Sequence, residues 1–247
     1  MTFGFHLIKL DGTPGITNLS LCCKRLYTEM KMRASPKTTN TFKWKSQEEL
    51  VGYLDALKWM EIQVKALQNE EASECAWLLE HPPLYTSGAS GDEKHILKSA
   101  KLPIYNTSRG GQVTYHGPGQ RIVYLTLDLK TRYQDVRRYV YELEEWIIQT
   151  LACFRVQGER RPGRIGIWVQ KDGRDHKIAA VGVRIQKWIT SHGIALNVSP
   201  DLSAYQDIVP CGLKQYGITS LRDLGFSTSM KEVDEALRQT FPFSPCV

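Results

Sequence analysis

Three apolar runs follow one another between residues 164 and 198, with only turn-like breaks between them: RIGIWVQ, KIAAVGVRIQKW and ITSHGIALNV. Each is short and rich in β-branched or aromatic residues, and the turn-like KDGRDH separates the first two, which favours strands over helices. Consecutive strands joined by short turns cannot be housed in a helical bundle. Together with the strand–helix alternation upstream, they argue an α+β fold (α/β-like) with mixed β-sheets and flanking helices.

Upstream of these runs, Ala56, Leu57, Met60, Val64 and Leu67 recur at helical spacing and predict an amphipathic helix over 51–69. A second helix is predicted over 135–154, with Val136, Tyr139, Val140, Leu143, Trp146, Ile147, Thr150, Leu151 and Phe154 on one face. AWLLEH, ended by Pro82-Pro83, and IVYLTLDL (122–129) read as strands, and a terminal helix is expected over 230–240. Residues 42–247 are expected to form a single catalytic domain. Residues 1–41 read as a polar, basic N-terminal extension that is poorly ordered or contains one short helix around LSLCCKRLYTEM.

The net charge of +6 does not describe a binding face. Residues 1–45 carry eight Lys/Arg against two acids, and the remaining 202 residues are balanced. Nucleic-acid binding needs basic residues clustered on a folded surface, so it is not expected here. No apolar run reaches the roughly 18 residues of a membrane helix, and the first segment is a poor signal peptide, so a cytoplasmic protein with no membrane contact is expected. Cys22, Cys23, Cys75, Cys153, Cys211 and Cys246 are irregularly spaced, which suggests neither a zinc site nor a disulfide framework. No metal and no cofactor are expected.

Three segments carry candidate chemistry. The first is RGGQVTYHGPGQ (109–120), five of whose residues are Gly or Pro. So little side-chain bulk beside Arg109 and His116 can form a wall with exposed amides that a ligand approaches closely. It lacks the phosphate-loop pattern. The second is KIAAVGV, where Lys177 enters a strand beside Ala179, Ala180 and Gly182. Burial there would depress its pKa towards a range useful for proton transfer, although a strand-end lysine that reaches for water is the more common case. The third is IVPCGL, where Pro210 and Gly212 set Cys211 in a turn able to present its sulfur. A buried structural cysteine fits the local sequence equally well.

Together these segments, with LLEHPPLYTSG and HGIALNV, resemble the lipoyl(octanoyl) transferase family, also called lipoate-protein ligase B, over residues 42–247. The resemblance implies the catalytic-domain fold of biotin and lipoate protein ligases. It implies transfer of an octanoyl group from octanoyl-acyl carrier protein to a lysine of lipoyl domains, through a thioester on Cys211 with Lys177 as its partner. It also implies a substrate site formed by Arg109, Gly110, Gly111, Gln112, Val113, Thr114, Tyr115 and His116, closed by Ala180, Val181 and Gly182 and by Gly193, Ile194 and Ala195. The implied acceptors are the lipoyl domains of 2-oxoacid dehydrogenase complexes and the glycine cleavage H protein, and the enzyme is expected to act as a monomer.

A free thiol with a pKa of ~8.5 is only a few per cent thiolate at neutral pH, so a nearby ammonium is chemically apt. Lys177 and Cys211 are therefore expected to converge, with Arg109–His116 bordering the same cavity. His81 and His192 are expected to be structural, and His116 either structural or in contact with substrate. Arg160, Arg161 and Arg164 could dock an acidic carrier protein or simply be solvated. The rival activities are an ATP-dependent lipoate or biotin ligase-like enzyme, which needs no cysteine, and a non-catalytic carrier-protein binding module.

Overall fold

Eleven strands and three α-helices occur among the residues described by a computed structural model, 42–97, 99–209 and 216–243. In chain order they are β1 (Lys43–Ser46), α1 (Tyr53–Gln68), β2 (Cys75–Leu79), β3 (Leu84–Ser87), β4 (Ile104–Asn106), β5 (Val113–His116), β6 (Gln120–Thr126), α2 (Val136–Cys153), β7 (Glu159–Arg161), β8 (Arg164–Lys171), β9 (Arg174–Gln186), β10 (Ile189–Asn197), β11 (Gly217–Ile218) and α3 (Met230–Gln239). The three runs that opened the sequence reading are β8, β9 and β10, joined as an antiparallel meander. The predicted helices appear as α1, α2 and α3. The proposed extension 1–41 lies outside the described residues.

The main sheet has the order β1-β2-β6-β10-β9-β8-β7, with β11 added against β9. Its β1–β2 pair is parallel and the central pairs are antiparallel, so the sheet is mixed. A smaller sheet, β4-β3-β5, was not evident in the sequence. The RGGQVTYHGPGQ segment, expected to be a loop, contains β5.

Strand alternation divides the core into two layers. On β6, Val123 and Leu125 face α2 and α3, packing with Trp146, Ile147, Leu151, Leu237 and Phe241. Ile122 and Tyr124 face the other way, toward Ala56 and Met60 of α1. Asp135 caps α2 by accepting from the Arg137 and Arg138 amides, and Ser229 caps α3 in a reciprocal box with Glu232. A buried ion pair, Arg121 to Asp234 at 2.7 Å, ties β6 to α3. No helix among the described residues is long and apolar enough to cross a membrane.

Two glycines show how differently a positive φ can be used. Gly173 (φ +72), in the β8–β9 turn, has open space where a Cβ would stand. Gly193 (φ +157), inside β10, would put that atom 2.3 Å from the Val123 carbonyl oxygen. Gly193→Ala must push β10 away from β6, whereas Gly173→Ala meets only the backbone preference, about 1–2 kcal/mol. Urea unfolding should therefore show Gly193→Ala as the more destabilised variant by at least ~1–3 kcal/mol. Equal midpoints for the two variants would contradict the close strand approach.

Candidate active site

On the α1 face of the main sheet, β9 and β10 present almost no side-chain volume. Ala180 pairs with Ala195, and Gly182 pairs with Gly193. The groove left over these residues is part of a cleft of about 500 Å³, counting its open mouth. Arg109, Gly111, Gln112, Thr114 and His116 line one side of it, and Val181 and Ile194 also reach its wall. Tyr53, Ile122, Tyr124 and His192 complete the lining. A smaller cavity continues past the shared residues Thr114, Ala180 and Ala195 to Lys177, Asn197, Tyr205 and Ile218.

Lys177 reaches this face because of an irregularity. Trp168 pairs with Lys177 but Ile167 pairs with Ala179, so Ile178 is an extra residue, a β-bulge in β9. Ile178 and Ala179 both enter the core beneath α2. Simple alternation would have sent Lys177 there as well; the bulge instead puts it in the cavity with Ala180. The lysine is only 5% exposed. Its Nζ donates to the Ile165 carbonyl at 3.0 Å and lies 4.8 Å from the Trp168 ring centroid. Gly166 leaves room for it, since a Cβ there would stand 3.4 Å from Nζ. Cys211, with Gly212, lies outside the described residues. Nearby in sequence, Ile218 of β11 pairs with Lys177, and the Tyr216 ring packs 5.3 Å from Trp168.

The Arg-Gly-Gly segment is held from within. The Arg109 guanidinium donates to the carbonyls of Gly110, Thr86 and Gln112 at 2.9 Å, and to the Thr86 hydroxyl at 2.7 Å. The Gly110 amide donates to the Val183 carbonyl at 2.8 Å, docking the segment onto β9. Gly182 permits that approach, because a Cβ there would come within 3.1 Å of the Gly110 oxygen. Alternation along β5 then turns Gln112, Thr114 and His116 to the cleft. Val113 and Tyr115, expected at the substrate, are turned away into the core of the small sheet with Tyr85 and Ile208. Gly110 acts through its backbone and is not among the lining residues.

His116 continues a directed chain of hydrogen bonds. Its Nδ1 must donate to Gln120 Oε1 at 2.7 Å, because the Gln120 amide nitrogen already donates to Asn197 and Tyr205. Nε2 is then the acceptor for the Thr86 hydroxyl at 3.2 Å, which itself accepts from Arg109. Burial first, and then the nearby His81 and Arg109 charges, hold the His116 pKa well below the ordinary range. His81 has a structural position, donating from Nδ1 to the Val51 carbonyl and accepting from the Tyr124 hydroxyl; burial lowers its pKa to about 4.

His192, expected to be structural, also lines the cleft. It lies at φ +60, and its ring meets Tyr124 edge-on on the cleft side, beside Gly193. Nε2 contacts the Thr107 hydroxyl at 3.3 Å, whereas buried Nδ1 has no partner among the described residues. Desolvation lowers its pKa to about 3. The adjoining Gly193 was a signal for this site in the sequence; Tyr53 and Tyr124 gave none, reading as ordinary helix and strand positions. The arginine cluster is engaged within the fold: Arg160 with Glu144 and Glu145, Arg161 with Glu159 and Asp175, and Arg164 with Asp175.

The chain matches the lipoyl protein ligase A/B catalytic domain over residues 52–242. A protein of Paramagnetospirillum magneticum named octanoyltransferase is 55% identical over 200 residues, which is 81% of this chain and 94% of that protein. The Rhodospirillum rubrum octanoyltransferase is 51% identical, over 82% of this chain and 95% of its own. Among solved structures, the bipartite lipoate protein ligase of Thermoplasma acidophilum has a TM-score of 0.60 at 15% identity, covering 81% of this chain and 82% of its own. A lipoate-protein ligase A bound with ATP has the same score at 14% identity, covering 81% and 84%. These likenesses at low identity establish a shared fold.

The three depressed histidines make stability pH-dependent. Unfolded histidines bind protons below ~6.5, but these folded ones resist protonation until much lower pH. The unfolded state therefore holds more protons in this window, so stability is full above ~6.5 and falls as pH drops, by up to ~1.4 kcal/mol per pH unit for each histidine. Denaturant midpoints measured between about pH 7.5 and 5 should decline steeply, and less steeply in His192→Asn. A flat profile would contradict the buried neutral assignment.

Proposed function

The chain belongs to the octanoyltransferase family of acyltransferases that act in protein lipoylation, and from that premise we propose that Cys211 is acylated by octanoyl-acyl carrier protein and passes the acyl group to a lipoyl-domain lysine. The observation that supports this most is the position of Lys177: a buried amine in a cavity otherwise lined by small, apolar and uncharged polar residues. The pairing of Ile218 with Lys177 adds support, because only seven positions separate Ile218 from Cys211. Residues 42–247 act in this reading as one catalytic domain.

Lys177 accepts the thiol proton of Cys211. The thiolate attacks the carrier thioester; a carbon–sulfur bond to Cys211 forms, the bond to the carrier breaks, and the carrier thiol leaves with the proton. The octanoyl tail lies over Ala180, Ala195, Gly182 and Gly193, with Val181, Ile194, Gly111, Gln112, Thr114 and His116 around it. Arg109 and Gly110 shape that wall. An acceptor lysine in its neutral form then attacks the thioester. The amide bond forms, Lys177 takes the amine proton, and that proton returns to the departing Cys211 sulfur. A thioester is converted to an amide, so no ATP is consumed. The acceptors are the lipoyl domains of 2-oxoacid dehydrogenase complexes and the glycine cleavage H protein, met in the cytoplasm.

Incubation with octanoyl-carrier protein, without acceptor or ATP, should add one octanoyl group to the Cys211 peptide by mass spectrometry. Cys211→Ala should abolish both this adduct and turnover. Lys177→Met should retain the fold and lower the single-turnover rate by about 10²–10⁴. Transfer that requires ATP and survives Cys211→Ala would make the protein a ligase. Binding of both proteins without an adduct or product would make it a binding module.

A further inference from the structure

The end of the cleft remote from Lys177 is chemically unlike the rest. Along β10 the small-residue floor runs from Ala195 through Gly193 and stops at His192. In a regular strand, adjacent residues 192 and 193 would point to opposite faces. The left-handed conformation of His192 breaks that rule and sets the imidazole on the cleft side, against Tyr124 and beneath α1, where Met60 Sδ is 3.3 Å from its amide. A buried, left-handed, non-glycine residue carries a conformational cost, and such sites tend to be held for a purpose.

Three buried polar atoms of the cleft lining lack a well-formed hydrogen bond among the described residues: His192 Nδ1, Gln112 Oε1 and the Tyr53 hydroxyl. All three residues line the same cleft. His192 is 5% exposed and Tyr53 2%. Thr107 is a loose hydrogen-bonding neighbour of the Tyr53 phenol and makes no full bond to it. The same Thr107 hydroxyl meets His192 Nε2, so Tyr53 and His192 are grouped around one residue. An alkyl chain satisfies none of these atoms, whereas a hydroxyl, which both donates and accepts, suits each of them.

Distance connects this group to the reaction end. Three residues of strand separate the Ala180–Ala195 pair, beside Lys177, from the Val183–His192 pair, about 10 Å at ~3.3 Å per residue. A fully staggered octanoyl chain spans roughly 9 Å from carbonyl carbon to terminal methyl, at ~1.5 Å per bond. We propose that His192, Tyr53 and Gln112 form a polar stop for the acyl tail, which limits unsubstituted chains to octanoyl length and accepts chains of that length bearing a terminal hydroxyl. The proposal rests on the reading that the acyl carbonyl lies at Lys177. A longer alkyl chain would force methylenes against the three unsatisfied atoms. A terminal hydroxyl on the octanoyl chain would instead pair with them.

The test compares octanoyl, decanoyl and 8-hydroxyoctanoyl carrier-protein thioesters as donors, reading amide product on a lipoyl domain. Product is counted whether or not a Cys211 thioester is trapped, so failure of the nucleophile assignment stays distinct from failure of the stop. The wild-type protein should use 8-hydroxyoctanoyl about as well as octanoyl, and decanoyl at least about tenfold less well in kcat/KM. Gln112→Leu and His192→Leu should each lower the hydroxyoctanoyl-to-octanoyl ratio by about tenfold and raise relative decanoyl use. His192→Asn keeps a polar atom near the Nδ1 position and tolerates the left-handed backbone, so it should preserve the ratio. Gln112 is half-buried on a covering segment, so its variant tests the idea even if His192→Leu fails to fold. Rejection of the hydroxylated donor by wild type would overturn the proposal. So would ratios that are the same in every variant, the result expected if these atoms hold only an ordered water.

Discussion

The structure around the site depends on an absence of volume at two facing pairs, Ala180 with Ala195 and Gly182 with Gly193. Packed layers normally fill the space above a sheet with side chains to crystal-like density. Here β9 and β10 supply almost none on the α1 face, while Ile178, Ala179, Ile194 and Leu196 fill the opposite face beneath α2 and α3. The sheet is thus a complete core on one side and a floor on the other. Larger residues at the four positions would close the cleft from below. At Gly193 they would also separate β10 from β6.

A floor without side chains needs a roof that does not collapse onto it. Arg109 provides this by satisfying the turning carbonyls of its own segment and the Thr86 hydroxyl, so that the segment is rigid before any ligand arrives. Its charge is directed into the roof. The same charge, with burial, keeps His116 neutral, and the Thr86–His116–Gln120–Asn197 chain runs on from there to the Thr219 carbonyl beyond β11. Lys177 and this chain meet near Asn197 and Tyr205. One polar network therefore sets the wall of the cleft and ends beside the amine, whose own position comes from the β9 bulge.

Much of this was legible in the sequence, for identifiable reasons. The helices announced themselves because their apolar residues repeat at i, i+3 and i+4, and the meander did so through its β-branched runs. Gly182 stood out as a small residue inside a strand-like run, Arg109 by its place in a glycine-rich segment, and Gly193 through the family resemblance. The small sheet stayed hidden because its strands are three or four residues long, and glycines flank β5 closely enough to suggest a loop. The β9–β10 turn falls where the second run meets the third, although its residues carry no turn signature. Lys187 and Trp188 adopt positive φ without the Asn or Gly that normally marks such a hairpin. Val113 and Tyr115 came with the resemblance, which implied the whole segment 109–116; once β5 is a strand, alternate residues must face away.

Parity also explains why motif order points to the right residues without giving their geometry. Regular alternation from Ala180 back to Lys177, three positions, would put the lysine on the core face. Regular alternation from Gly193 to His192, one position, would do the same to the histidine. One inserted residue at Ile178 and one left-handed residue at His192 reverse both outcomes. Neither device has a sequence signature, because a bulge is defined by its partner strand and a left-handed histidine by the packing that holds it. Both lie on the two strands whose small residues make the floor, one near each end. The floor supplies the space, and the two breaks in alternation bring an amine and an imidazole back into it from a face where regular strands would have buried them.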